Sequence, residues 1–98
     1  MDRALQQKII IDAKTVGADY VLCNLFDGNI YSNYSGHVVA VYFMQESNDG
    51  YGNEVASYQP ADLAGIYMGF GFPEIKLYSR RWGSEMISKY NVIRINRE

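Results

Sequence analysis

Ninety-eight residues allow one hydrophobic core and leave no room for a second. An apolar content of 48% argues against a disordered segment, and a net charge of −2 is too small to define a partner or to mimic a nucleic acid. No stretch approaches the roughly 20 apolar residues of a membrane helix, the N-terminus lacks the basic-then-apolar pattern of a secretion signal, and a single cysteine, Cys23, excludes an intramolecular disulfide.

Residues 3–16 carry a helical stripe. Leu5, Ile9, Ala13 and Val16, widened by Ala4 and Ile10, recur at the spacing that lines one helix face. Asp2 suits the N-cap, where its carboxylate accepts the unpaired N–H groups of the first turn, and Gly17 suits the stop. Residues 20–26 (YVLCNLF) read as a strand, and Asp27-Gly28 as a tight hairpin turn into a second strand at 29–34. Ser35-Gly36 turns again into residues 37–44 (HVVAVYFM). That run is apolar on both faces, which predicts a central strand with Val39, Val41 and Phe43 on one side and Val38, Ala40, Tyr42 and Met44 on the other. Residues 46–50 make a third turn, with Asp49-Gly50 as a further hairpin signal, and 51–58 return as a strand with Val55 and Tyr51 inward. Connections this short favour an antiparallel meander.

Pro60 opens a second, short helix, where its missing N–H is not needed, and Leu63, Ile66 and Tyr67 are placed to pack on the sheet. Gly69 to Pro73 end it. In the tail, Ile75, Tyr78, Trp82, Met86 and Tyr90 recur at helical spacing, so one long helix is possible. Gly83-Ser84 punctuates more naturally than it continues, which favours a strand at 74–82 followed by a short helix at 84–90 with Ser84 as N-cap. Residues 92–95 form a closing strand. The fold expected is a single α+β domain over residues 1–98: a small antiparallel sheet of four or five strands with two or three helices packed on one face.

Two segments resemble the signature strands of the RNA-recognition motif: Tyr20-Val21-Leu22-Cys23-Asn24-Leu25, and Met68-Gly69-Phe70-Gly71-Phe72. The resemblance implies adjacent strands whose aromatics stack on unpaired bases. It departs from the family at Met68, where a basic residue belongs, at Pro73, which removes a ladder hydrogen bond, and in the hairpin at Asp27-Gly28, where the family has a helix.

The chemistry-bearing residues are sparse. Cys23 lies in an apolar run and reads as a small buried hydrophobe, far in sequence from the only histidine, His37. No spacing suggests a metal site, and Asp27, Glu46 and Asp49 sit in turns, where acids are ordinary. Gly69-Phe70-Gly71 and Gly50-Tyr51-Gly52 are read as turns, because neither has the third glycine or the βαβ setting of a phosphate cradle. No catalytic residue, cofactor or metal is expected.

Charge is unevenly placed. Residues 1–72 sum to −5 and residues 73–98 to +3. Arg80-Arg81-Trp82 is the densest cationic point; such a cluster suits a phosphate-bearing strand or a protein interface, but the preferred reading is a surface arginine pair beside a buried tryptophan. Nine tyrosines are the compositional oddity. Tyr31, Tyr34 and Tyr51 lie beside Ser, Asn and Gly, the mixture that binding loops use to combine rigid contact area with adaptable hydrogen bonds. These residues point to a non-catalytic protein-binding module, with the cytoplasm as the default compartment; small accessory or inhibitor proteins of the phage or mobile-element kind, which occlude a larger partner, look like this. Tyr31, Tyr34, Tyr51, Arg80, Arg81 and Trp82 are the candidate contacts. A homodimer is compatible with this reading, and nucleic-acid binding through the basic C-terminal segment is the alternative.

Overall fold

The computed structural model describes residues 3–23, 40–59, Leu63 and 74–96, with the side chains of residues 3–5 excepted. Helix α1 spans Arg3–Thr15. Its end is set by Gly17, whose φ of 75° lets the chain reverse. The N–H of Gly17 donates to the Lys14 carbonyl (3.2 Å) and that of Ala18 to the Ala13 carbonyl (2.9 Å), the paired closure of a Schellman motif. Ile9 and Ala13 turn fully inward and Val16 packs beside them, as their spacing predicts. Asp2 lies outside the described residues.

Five strands follow: β1 (Tyr20–Cys23), β2 (Val41–Glu46), β3 (Gly52–Tyr58), β4 (Lys76–Trp82) and β5 (Asn91–Arg94). All neighbours are antiparallel and the order is β4-β3-β2-β1-β5. The predicted meander is corrected here. Tyr20–Leu22 pair directly with Tyr42–Met44, and β5 takes the other side of β1. A hairpin across Asp27-Gly28 therefore does not pair residues 20–23; residues 24–39, including that turn, Val38, Val39 and His37, lie outside the described residues. The Asp49-Gly50 hairpin is present, with Gly50 at φ 83° and its N–H bonded to the Ser47 carbonyl (3.3 Å).

Strand β2 is central and apolar on both faces, as its sequence requires. Val41 and Phe43 are fully buried against α1 together with Ile9, Ala13, Val21, Ala56, Tyr58 and Leu63. Tyr42 and Met44 point to the opposite face, which is closed by Tyr20, Leu22, Trp82, Ile87 and Tyr90. Strand β3 carries a bulge. Phe43 and Met44 are adjacent, yet their partners Ala56 and Glu54 are separated by Val55; on the other side Glu54 and Ala56 face Arg80 and Leu77, so there Val55 stands opposite two residues of β4, Tyr78 and Ser79. The extra residue breaks the two-residue alternation, so Ala56 and Tyr58 face the helix while Glu54 turns to the aromatic side.

The tail is a strand and a short helix, not one long helix. Helix α2 spans Ser84–Ile87, and Gly83 (ψ 159°), not Ser84, is the N-cap. Ile87 joins the aromatic face, so α1 and α2 lie on opposite faces of the sheet, correcting the expectation that the helices share one face. Of the predicted second helix, Leu63 is helical and buried and donates to the Gln59 carbonyl (3.1 Å). Pro60, Ile66, Tyr67 and residues 69–73 lie outside the described residues. Of the two places the sequence offers Tyr51, inward on the strand or at a hairpin tip, it takes the second, outside β3 and 41% exposed. Gly52 is a strand residue, not part of a turn. A Cβ there would collide with the Tyr20 hydroxyl and lie 2.9 Å from Ile87 Cδ1 and 3.0 Å from Met44 Cε. No helix among the described residues is long and apolar enough to cross a membrane.

One polar contact fastens α1 to the sheet. The buried Asp12 carboxylate accepts the Tyr58 hydroxyl and pairs with Lys8 at 2.9 Å. Asp12→Ala leaves that hydroxyl buried and unpartnered, at a cost of about 1–3 kcal/mol. Urea unfolding should show a lowered midpoint with an unchanged slope, because the same surface is exposed on unfolding.

Candidate functional site

Alternation along β4 divides the Arg80-Arg81-Trp82 run between the two faces of the sheet. Arg80 shares a face with Trp82: its guanidinium carbon lies 6.0 Å from the Trp82 ring centre and 5.4 Å from that of Tyr78. Nε and Nη2 of Arg80 donate to Glu54 Oε2 at 3.0 and 2.8 Å. Glu54 is fully buried, and its Oε1 has no hydrogen-bond partner among the described residues. The bond to Glu54 raises the pKa of Arg80, so this charge is permanent. Trp82 is 9% exposed and packs against Tyr42 (4.4 Å between ring centres) and Tyr90 (5.5 Å). It is a core residue of the aromatic face, not a free contact residue.

Arg81 belongs to a different constellation, at the turn between β2 and β3. It ion-pairs with Asp49, and its guanidinium lies 4.7 Å from the Tyr51 ring centre. Asp49 organises the turn: its Oδ1 accepts the Ser47 hydroxyl (2.8 Å) and the Tyr51 N–H (3.2 Å). The Ser47 N–H donates to the Tyr51 carbonyl (3.1 Å), and a Cβ at Gly83 would lie 3.6 Å from the Tyr51 ring. Tyr51 is thus exposed yet held by backbone bonds and a stacked cation.

Beside this turn lies a cleft of about 520 Å³, lined by Tyr20, Glu46, Ser47, Asn48, Gly50, Tyr51, Ser84, Ile87, Val92 and Arg94. Arg94 bridges to Glu46 at 2.9 Å and covers the Tyr20 ring at 4.9 Å. The Glu46–Arg94 pair is largely exposed, the kind that exchanges readily for other partners. Burial is the main cause that raises the Tyr20 phenol above its ordinary 10.0, with Arg94 opposing it. Burial likewise raises Tyr42, reinforced by Tyr90 and Glu54.

Of the sequence-selected contacts, Tyr51 and Arg81 are brought together. Arg80 and Trp82 face the other side, and Tyr31 and Tyr34 lie outside the described residues. Glu46 and Asp49 are each engaged by a different arginine, so they are not assembled as an acid–base pair; Asp27 lies outside the described residues. Cys23 is buried beneath α1, and no group of three metal-ligating side chains occurs among the described residues. Of the two segments that resemble the RNA-recognition motif, 68–72 lies outside the described residues; in the other, Tyr20 is only 5% exposed, no open platform for a base. Sequence reasoning passed over Tyr20, Glu54 and Arg94. Glu54 carried a signal, as the one acid inside a strand otherwise free of charge. No family model, no curated protein and no solved structure matches this chain.

The two arginines should respond differently to truncation. Arg80→Ala strands a buried carboxylate and should cost about 2 kcal/mol, whereas Arg81→Ala breaks a surface pair and should cost below about 1 kcal/mol. Thermal melts of the two variants decide between them. The raised tyrosines set an alkaline limit. A phenol whose folded pKa exceeds its unfolded value contributes stability that is complete below the unfolded pKa and is lost as pH rises through the folded one. Titration of tyrosinate absorbance should therefore show a late fraction, Tyr20 and Tyr42, that ionises above pH 10 together with loss of near-ultraviolet dichroism.

Proposed function

We propose that this protein is a non-catalytic protein-binding module, an accessory or inhibitor protein whose contact surface is the turn end of the sheet around Tyr51. The observation that carries this reading is the fixed presentation of that ring. Tyr51 projects to solvent while Arg81, Asp49 and Ser47 hold it in place. A pre-positioned aromatic loses little entropy on binding, which is why tyrosine and arginine dominate interface hot spots. The neighbouring cleft adds Ser47, Asn48, Ser84 and Arg94, the adaptable polar groups that accompany tyrosine in binding loops. Occlusion of a larger protein fits a small domain that offers one held aromatic beside a cleft.

The alternative, nucleic-acid binding through the basic tail, draws less support. Arg80 and Arg81 are already engaged by Glu54 and Asp49, so each has less net charge and fewer N–H donors left for a phosphate. Capture of partners from the native host, read by mass spectrometry, identifies the target. Tyr51→Ala should then weaken that complex about tenfold, the loss of an ordinary hot spot. Tight binding of generic single-stranded DNA at physiological salt, falling steeply with added salt, would replace this reading with the alternative.

A further inference from the structure

Strand β4 is exposed along six of its seven residues, with Leu77 at 72% and Tyr78 at 38% exposure. Among the described residues it pairs only with β3, so one side of its backbone ladder has no strand partner there. An exposed edge is a template for another strand, and cations such as Lys76, Arg80 and Arg81 ordinarily protect it. Here their placement selects a partner instead. We propose that β4 pairs antiparallel with β4 of a second copy about a two-fold axis through Ser79, joining two five-stranded sheets into one.

A two-fold axis perpendicular to the sheet requires opposed residues to share a face, so the axis must pass through a residue position and not between two residues. Only an axis at Ser79 pairs the whole strand Lys76–Trp82 with itself. In that register Lys76 opposes Trp82 of the second copy and Tyr78 opposes its Arg80, while Leu77 opposes its Arg81 and Ser79 meets Ser79. Every pair on the Tyr78 face joins a cation to an aromatic, a favourable combination across a sheet. The same face already stacks Arg80 between Tyr78 and Trp82 within one strand. Shifting the axis to Tyr78 sets Lys76 against Arg80, and shifting it to Arg80 sets that arginine against itself. Like charges directly opposite are destabilising, so the cations disfavour both of these neighbouring registers. Because Arg80 and Arg81 are each paired with an acid of their own chain, the edge does not carry its full formal charge.

Leu77 supplies the test, because a residue so exposed can be changed without touching the core. Sedimentation velocity over a range of protein concentrations should show wild-type protein passing from 11.2 kDa to twice that mass. Leu77→Lys places a lysine opposite Arg81 twice per dimer and should raise the dimer dissociation constant roughly tenfold. Leu77→Glu should lower it by several-fold, with circular dichroism confirming that both variants keep the wild-type fold. A wild-type protein that stays monomeric at every concentration overturns the proposal. A dimer of unchanged affinity in both variants also overturns it, because that dimer would use another surface.

Discussion

The bulge at Val55 is the constraint on which the rest of the sheet depends. One extra residue between Glu54 and Ala56 reverses the phase of β3 midway along its length. Downstream of it, Ala56 and Tyr58 close the core under α1, and Tyr58 reaches Asp12 on the helix. Upstream, Glu54 is delivered to the other face, where it would be a stranded charge without Arg80 on the neighbouring strand. A buried carboxylate is expensive unless paired, so the bulge, the acid and the arginine are a single structural unit.

That unit explains how a small chain covers both faces of its sheet. One face is closed by α1 in the ordinary way. On the other, the described residues supply a four-residue helix, and bulk comes from Tyr42, Trp82 and Tyr90, stacked around the Arg80–Glu54 pair. Much of the tyrosine richness that suggested a binding surface is therefore spent on the core: Tyr20 and Tyr58 are buried, and Tyr42 and Tyr90 partly so. Gly52 belongs to the same economy of space, because Tyr20, Ile87 and Met44 converge where its side chain would be. Tyr51 is left outside this packing, held instead by Arg81 and Asp49.

Much of the architecture was legible from local chemistry. The α1 stripe and its Gly17 stop, the two-faced β2, the Asp49-Gly50 turn and the break at Gly83 all rest on periodicity or on a backbone angle that one residue type favours. Such signals act over a few residues and survive in any tertiary setting. The strand order was not legible. Asp27-Gly28 suggested that 20–26 would pair with its successor, but β1 is flanked by β2 and β5, the latter almost seventy residues later in the chain. Pairing between distant strands depends on which apolar faces complete a common core, and no local signal encodes that.

The candidate site divides along the same line. Its ingredients were present in the sequence by itself: an exposed-type tyrosine among small polar residues, and an Arg-Arg-Trp run in a strand of period two. Alternation alone separates Arg81 from its two neighbours, so the splitting of that run was implicit in the sequence. Only the tertiary structure decided which partner each arginine found. Arg80 met Glu54 because the bulge turned that acid to its face, and Arg81 met Tyr51 and Asp49 because β3 and β4 pair in a register that brings the strand end beside the turn. Side-chain chemistry is a property of the residue, whereas its neighbours are set by the packing of the whole chain, and the character of this surface lies in those neighbours.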